Sequence, residues 1–167
     1  MRKEDRLHGA ARTAAYRLLA RRPRSIRELT LRLMEKGFPE AAVTSVIERF
    51  RELHYLDDAA VARQWARSYA VNSLWGDLKI RARLLDMGIP EELVPGALDE
   101  ARKEFTQREA ILKILEKRNP ERLTAPAISV KEEQRLIRHL AAKGFPPSVI
   151  YEVLDHPVKE DESVDGQ

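Results

Sequence analysis

The chain has 167 residues and a mass of 19.2 kDa, with 43% hydrophobic residues, 34% charged residues and no cysteine. This composition allows a folded core but excludes a membrane protein, because no run approaches the roughly 20 apolar residues of a transmembrane helix. The lack of cysteine excludes disulfides, thiolate metal sites and cysteine nucleophiles. It is compatible with the reducing cytoplasm, where we expect the protein to act.

Charge is distributed unevenly along the chain. Residues 1–32 hold ten Lys or Arg and three Asp or Glu, whereas residues 158–167 hold one lysine and four acidic residues. The basic end favours a polyanionic partner, since neutralisation of phosphates by Lys and Arg drives non-specific nucleic-acid binding. A solvated helix surface explains the same charges, so the sequence leaves both interpretations open.

The pattern of residues predicts an all-α chain. Leu, Ala, Arg and Glu dominate, and the alternation typical of strands is rare. Capping boxes predict helix starts, and Pro and Gly predict helix ends. The capping boxes are Ser25–Glu28, Thr106–Glu109 and Ser129–Glu132. In chain order, we predict a first helix over about Leu7–Arg21, a second from Ser25 to Gly37, a third after Pro39, a fourth after Asp57 and Asp58, a fifth over about Asp77–Met87, a sixth around Leu93–Ala101, a seventh from Thr106 to Asn119, a loop over 120–128, an eighth from Ser129 to Gly144 and a ninth around Val149–Leu154.

One pattern of glycine, apolar residue and proline occurs three times, beginning at Gly37, Gly88 and Gly144. Apolar residues stand eight and four positions before each glycine, and six and ten positions after it. Glycine adopts the left-handed backbone that ends a helix, the next residue packs on the last turn, and proline keeps the helix from resuming. The chain therefore contains an internal repeat, and we expect the three glycines to be structural.

The spacing of the glycines divides the chain into three tandem three-helix repeats, which we place at 7–56, 57–104 and 105–156. We expect residues 1–6 to form an N-terminal extension and residues 157–167 to form a disordered acidic tail. Repeats that touch mainly their neighbours make an elongated, curved helical array. A single compact helical bundle is the alternative architecture.

The sequence lacks the motifs of the common enzyme and cofactor sites. The glycines are scattered singly, so no phosphate-binding loop is present, and the four histidines have no metal-ligand spacing. We therefore predict neither catalysis nor a cofactor nor a metal. Asp57 and Asp58 are adjacent and would point apart on a helix, so helix capping is the favoured role for this pair.

Basic side chains are the candidates for contact with a partner, because guanidinium groups bind carboxylates and phosphates in two-pronged geometry. The second repeat holds seven basic and nine acidic residues, which argues against uniform wrapping by nucleic acid and favours a protein or nucleoprotein partner. The candidates are Arg17, Arg21, Arg24, Arg27, Arg63, Arg67, Lys79, Arg83 and Arg135.

Several motifs occur together at a characteristic spacing. They are Arg24-Ser25-Ile26-Arg27-Glu28-Leu29, Gly37-Phe38, Tyr55-Leu56-Asp57-Asp58, Gly88-Ile89 and Lys143-Gly144-Phe145. Over about residues 10–155 the chain thereby resembles the RecX family of bacterial recombination regulators. It departs from the family pattern at His54, where the family usually has glycine, and at Asn72 and Trp75, in a region where the family commonly has a basic residue.

The resemblance implies three three-helix repeats and a non-enzymatic regulator of RecA. Such a protein lies in the groove of the RecA filament on single-stranded DNA and lowers ATP hydrolysis, coprotease activity and strand exchange, which affects DNA repair and the SOS response. It binds DNA weakly and without sequence specificity. By position Arg24, Arg27, Tyr55 and Asp57 match the family pattern. We expect Arg24 to contact the partner, Tyr55 and Asp57 to be structural, and the protein to be a monomer.

Two alternatives to a RecA regulator stay open. One is a sequence-independent nucleic-acid-binding helical module that acts without RecA, which the basic end of the chain favours. The other is a helical-repeat scaffold for a different protein.

Overall fold

The structure is a computed structural model that describes residues 3–118 and 129–155. Within these residues every regular element is helical, which confirms the all-α prediction. The helices are α1 (Lys3–Leu19), α2 (Ile26–Glu35), α3 (Glu40–Glu52), α4 (Asp58–Val71), α5 (Asp77–Asp86), α6 (Val94–Glu104), α7 (Gln107–Arg118), α8 (Val130–Ala142) and α9 (Pro147–Asp155), and one turn of 3-10 helix (Glu91–Leu93) precedes α6. The loop predicted over 120–128 and the acidic tail predicted over 157–167 lie outside the described residues.

The first helix differs from its prediction at both ends. It begins at Lys3, so residues 3–6, which we expected to form an extension, are helical. Two acidic residues lie in the first turn, where negative charge interacts favourably with the helix dipole. The helix ends at Leu19, which leaves Arg21 in the turn that follows.

Each repeat has its own hydrophobic core. Helices α1–α3, α4–α6 and α7–α9 form the first, second and third repeats, and each set of three surrounds a separate cluster of buried side chains. A fully buried Leu, Ile or Phe contributes about 1.5–3 kcal/mol to stability relative to an exposed one. The largest completely buried side chains are Leu29, Leu33 and Phe50 in the first core, Ile80 and Leu84 in the second, and Ile111, Leu140, Phe145 and Ile150 in the third.

The second helix of every repeat ends in the same turn. Gly37, Gly88 and Gly144 have φ angles of 83°, 80° and 87°, in the left-handed region that favours glycine. The residue after each glycine donates its backbone N–H to the carbonyl five positions earlier, as in a Schellman motif. These bonds are Phe38 to Leu33 (3.3 Å), Ile89 to Leu84 (3.0 Å) and Phe145 to Leu140 (3.2 Å).

The repeats are joined through the ends of their second helices. In the first joint, the turn after α5 lies on the start of α2, and Ser25 Oγ donates to the carbonyl oxygen of Met87 at 2.5 Å. In the second joint, the turn after α8 lies on the start of α5, and the Gly76 N–H donates to the carbonyl oxygen of Lys143 at 2.9 Å. Helices α2, α5 and α8 therefore follow one another end to end, and the repeats form an extended array in chain order.

The first helix of the following repeat also contributes to each joint. Asp58 Oδ1 accepts a hydrogen bond from the Ile26 N–H at 2.8 Å, and Gln107 Oε1 accepts one from the Asp77 N–H at 3.1 Å. These N–H groups belong to the first residues of α2 and α5, where no carbonyl of the same helix can reach them. Asp57 caps α4, as predicted for the aspartate pair, whereas Asp58 accepts a hydrogen bond from the first residue of α2 in the preceding repeat.

Candidate functional site

The nine candidate cations divide into those with a carboxylate partner and those without one. Arg24, Arg63, Arg67 and Arg83 each form an ion pair. Among the described residues no acidic side chain forms an ion pair with the other five, which are Arg17, Arg21, Arg27, Lys79 and Arg135. Surface cations without a carboxylate partner keep their charge available to another molecule.

Arg24, the candidate to which we assigned the partner contact, is buried instead. Its side chain is 10% exposed, its Nη1 contacts the Glu28 carboxylate, and its Nε donates to the Leu18 carbonyl oxygen at 3.3 Å. The same carboxylate receives two hydrogen bonds from Arg22, at 3.0 and 2.5 Å. These contacts give Arg24 an internal role, because this side chain holds the end of α1 against the start of α2, and they do not support the expected contact with a partner.

Three further candidates pair with acidic residues on the surface of the second repeat. Arg67 binds Glu104 through two hydrogen bonds, at 2.5 and 2.6 Å. Arg63 Nε lies 3.7 Å from a Glu100 carboxylate oxygen. Arg83 donates to a carboxylate oxygen of Asp86 at 2.6 Å. Exposed pairs of this kind stabilise a fold little. They neutralise these arginines, and they leave the outer face of α4 with mixed charge.

Arg17 and Arg21 border a groove on the first repeat, which we call the first-repeat groove. Its volume is about 700 Å³, and its floor is largely apolar. Lys36 also lies at its edge, and no acidic side chain of the described residues lines it. The lining residues are Gly9, Ala10, Thr13, Ala14, Arg17, Leu18, Arg21, Lys36 and Phe38.

Five basic side chains collect where the second and third repeats meet, and we call them the junction cluster. They are Lys79, Lys117, Arg118, His139 and Lys143. Burial lowers the pKa of Lys143, and the charges of Lys79, Arg118 and Lys117 lower it further, so these cations lie close together. Lys143 Nζ donates to the carbonyl oxygen of Ser73 at 3.3 Å, and the Lys79 ammonium lies 4.6 Å from the centre of the Trp75 ring.

Sequence reasoning identified only Lys79 in the junction cluster. Lys117 and Arg118 end α7, and Lys143 follows α8, so the residues are far apart in the chain. A local signal does exist, since Lys and Arg are favoured in the last turn of a helix, where they face the negative end of its dipole. That signal predicts the residue types but not that two helix ends meet.

Arg27 and Arg135 have different surroundings. Arg27 is exposed, but its side chain covers Gly88 in the first joint, where a Cβ added to the glycine would lie 2.8 Å from Arg27 Cβ. Arg135 lies on the exposed face of α8. The structure thus brings Arg17 and Arg21 together and places Lys79 in a second cluster, whereas Arg27 and Arg135 belong to neither.

Tyr55 and Asp57, which we expected to be structural, lie at the connection between the first two repeats. Asp57 Oδ1 accepts a hydrogen bond from the Ala60 N–H at 3.0 Å and caps α4. Tyr55 is 54% exposed, and its ring centre lies 5.6 Å from that of Tyr16 and 5.5 Å from that of Phe50. Edge-on aromatic contacts of this geometry stabilise packing.

The described parts of the chain contain no group of three His, Cys, Asp or Glu residues arranged to hold a metal ion. Among the helices that the structure describes, none has the length and apolar character needed to cross a bilayer.

Comparison with known families accounts for all three repeats. Residues 11–50 match the first three-helix domain of RecX, residues 57–98 match the second, and residues 106–154 match the third. The chain belongs to the RecX family. The three RecX domains correspond in order to the repeats built by α1–α3, α4–α6 and α7–α9.

Individual relatives and solved structures agree with RecX membership. The chain is 36% identical to the regulatory protein RecX of a Thermus thermophilus strain over 138 residues, which cover 83% of this chain and 85% of that one. It is 30% identical to the regulatory protein RecX of Mycolicibacterium smegmatis over 145 residues, covering 86% and 77% of the two chains. The crystal structure of RecX from Lactobacillus salivarius shares the fold, with a TM-score of 0.77, 20% identity and coverage of 90% of this chain and 96% of that one.

Proposed function

We propose that this protein binds the RecA filament on single-stranded DNA and lowers its ATPase, coprotease and strand-exchange activities. The observation that carries the proposal is the match of all three RecX domains in order, over residues 11–154. Relatives that align over most of their length are named regulatory protein RecX. The proposed role belongs to DNA repair and the SOS response in the cytoplasm, and it involves neither catalysis nor a cofactor.

The charge distribution supports a nucleoprotein as the partner. The first-repeat groove combines an apolar floor with Arg17, Arg21 and Lys36, a combination suited to a protein segment that carries carboxylates. The junction cluster concentrates the cations Lys79, Lys117, Arg118 and Lys143 on the other half of the molecule, with His139 beside them. A filament of protein on DNA offers carboxylates and phosphates together, so it can engage both regions of an extended array.

The experiment that tests this function is RecA-catalysed ATP hydrolysis on single-stranded DNA, titrated with the full chain. RecA comes from the same organism, and the titration is repeated at two salt concentrations. We expect inhibition well below one molecule per RecA, because a protein that bridges protomers or blocks filament growth acts substoichiometrically. Unchanged hydrolysis up to equimolar protein contradicts the proposal.

A second candidate function is sequence-independent nucleic-acid binding without RecA, which the junction cluster favours. Each phosphate contact on a single strand adds about −0.7 to the slope of log affinity against log salt concentration. Fluorescence anisotropy of a labelled oligonucleotide, titrated with the chain in the absence of RecA, measures that slope. We propose that the chain binds as a monomer. Tight binding with a steep slope, together with an unaffected RecA ATPase, would favour this function over the first.

A further inference from the structure

The turn after α2 has the same geometry as the turns that form the two joints, but none of the described residues covers it. In both joints the corresponding glycine touches the docked helix: an added Cβ would lie 2.8 Å from Arg27 Cβ at Gly88 and 2.3 Å from Lys79 Cβ at Gly144. At Gly37 the same construction meets no atom of residues 3–118 or 129–155 within 4 Å. The backbone is nonetheless the same, since the three glycines have φ angles of 83°, 80° and 87°. The first repeat thus presents the shape of a joint without its occupant.

Burial and hydrogen bonding distinguish the open turn from the two covered ones. Ile89 and Phe145, which follow the covered glycines, are 3% and 1% exposed, whereas the equivalent Phe38 is only partly buried. The Met87 carbonyl accepts a hydrogen bond from the Ser25 hydroxyl, and the Lys143 carbonyl accepts one from the Gly76 N–H, so each binds the residue that caps the docked helix. Among the described residues, no donor reaches the equivalent carbonyl of Lys36.

The two covered turns show what kind of element fits this surface. Each receives the first turn of an α-helix, with Ser25 or Gly76 as the N-cap residue. The start of a helix offers donors that have no partner within the helix, which are the Ser25 hydroxyl in the first joint and backbone N–H groups in the second, and an exposed carbonyl accepts hydrogen bonds from them. A helix start is therefore the complementary occupant of the Lys36 carbonyl as well.

The charge around the open turn selects the helix further. Arg17, Arg21 and Lys36 border the adjoining first-repeat groove, which is lined by no acidic side chain from the part of the chain that the structure describes. Asp and Glu are favoured in the first turn of a helix, where they face the positive end of its dipole. A helix that begins with acidic residues would place its N–H groups at the turn and its carboxylates against these three cations.

We propose that the Lys36–Phe38 turn, with the first-repeat groove beside it, binds the acidic first turn of an α-helix on a protein partner. The partner helix takes the place that α2 and α5 take in the two joints. This inference rests on the proposed function, and it assigns that helix to a RecA protomer. The first repeat would then contact the filament through the turn at the free end of the array.

Two substitutions test the docking geometry and its charge separately. Gly37→Asn adds a side chain where no atom of the described residues lies within 4 Å, and Asn adopts a positive φ more readily than most residues, so we expect the fold to be retained at some cost in stability. A helix docked as in the joints would collide with the new Cβ. Lys36→Glu reverses one charge at the groove. Lys103→Glu, at an exposed site in the last turn of α6, is the matched control.

The measurement is binding of the labelled full chain to RecA filaments assembled on oligo-dT with a slowly hydrolysed ATP analogue. We expect Gly37→Asn and Lys36→Glu each to weaken binding at least about tenfold, and Lys103→Glu to change it by less than about twofold. Thermal unfolding of each variant checks that the fold is intact. Filament binding by the unchanged chain tests the proposed function, and the variants test the inference.

The other outcomes overturn the inference. Wild-type affinity of Gly37→Asn excludes docking of the joint type, even if Lys36→Glu weakens binding through charge. Weaker binding of Gly37→Asn to oligo-dT without RecA assigns the turn to nucleic acid. Concentration-dependent sedimentation that Gly37→Asn abolishes assigns it to a second copy of this chain, whose α8 begins with Glu132 and Glu133 in its first turn. Failure of the unchanged chain to bind filaments removes both the proposed function and this inference.

Discussion

Ser25 and Met87 are 62 residues apart in the chain, yet the Ser25 hydroxyl donates a 2.5 Å hydrogen bond to the Met87 carbonyl oxygen. The same hydroxyl accepts a bond from the Glu28 N–H at 3.0 Å. One completely buried side chain therefore caps the start of α2 and holds the end of α5. Because the joints depend on a few buried groups of this kind, single substitutions can test them.

The closest approach in the second joint predicts that Gly76→Ala destabilises the protein strongly. A Cβ at Gly76 would lie 2.2 Å from the carbonyl carbon of Gly144, and backbone on both sides leaves no room to relax. The Gly76 φ of −77° suits alanine, so the effect is steric. We expect a loss of at least about 2–3 kcal/mol in the free energy of unfolding, measured by urea denaturation.

Gly96→Ala is the control for this substitution. Gly96 lies within α6, with no atom within 4 Å of a constructed Cβ. Alanine there raises stability by about 0.5–1 kcal/mol, because glycine is a poor helix former. A loss below about 1 kcal/mol for Gly76→Ala would show that the second joint is looser than the structure indicates.

The hydrogen bond of Asp58 in the first joint predicts that two substitutions of this residue differ in their effect on the free energy of unfolding. Its carboxylate accepts the Ile26 N–H at 2.8 Å, and partial burial raises its pKa above the ordinary value of 3.8. Asp58→Ala leaves that N–H without an acceptor and costs about 1–3 kcal/mol in the free energy of unfolding. Asp58→Asn keeps an acceptor oxygen and removes the penalty of burying a charge, so we expect a markedly smaller loss. Equal losses in urea denaturation would contradict this role.

The positive φ angle of His54 predicts that replacing this residue with glycine stabilises the protein. It follows α3 with a φ of 56°, and the next residue, Tyr55, donates to the Phe50 carbonyl at 2.8 Å, as in the glycine turns. A residue with a Cβ is strained in this conformation. His54→Gly should raise the free energy of unfolding by about 0.5–1 kcal/mol, since relief of strain exceeds the entropic cost of glycine. His54→Ala keeps the strain and should give no gain. A lower unfolding midpoint for His54→Gly would refute the account.

Local patterns predict most of the fold. Helix caps, the three glycine turns and the apolar spacing each involve residues within one or two helical turns, so the sequence alone is enough to place them. His54 is an instructive addition, because the departure from the family glycine falls at a residue whose backbone is left-handed. The sequence indicates the position, and the structure supplies the reason.

The candidate site could be predicted only in part. Some of its basic side chains pair with acidic residues that are distant in the sequence, and in one case several groups compete for the same carboxylate. Glu28 completes a capping box in the sequence pattern, but its carboxylate binds Arg22 and Arg24 instead. Burying the Arg24 guanidinium without a counter-charge would cost more than leaving the Ser25 N–H without the Glu28 carboxylate as its acceptor. The pairing of Arg67 with Glu104 spans 37 residues, and no short-range pattern contains it.

The lowered pKa of His139 predicts that stability falls as the pH is lowered through the range around 6.5. Burial, and then the charges of Arg118 and Lys143, hold the pKa of His139 below its ordinary value of 6.5. As the pH falls through 6.5, the unfolded chain therefore binds a proton before the folded protein does, and unfolding is favoured. Above this range His139 is neutral in both states and has no such effect.

His139→Gln removes this proton-linked contribution, so its urea midpoint should depend less steeply on pH than that of the unchanged chain. The comparison is made at about pH 5.5, 6.5 and 7.5. His8→Gln is the control, since His8 is exposed on α1. Carboxylates with lowered pKa values, such as Glu104, lose their contribution only in more acidic solution. Parallel pH profiles for His139→Gln and the unchanged chain would show that the junction cluster does not hold His139 neutral.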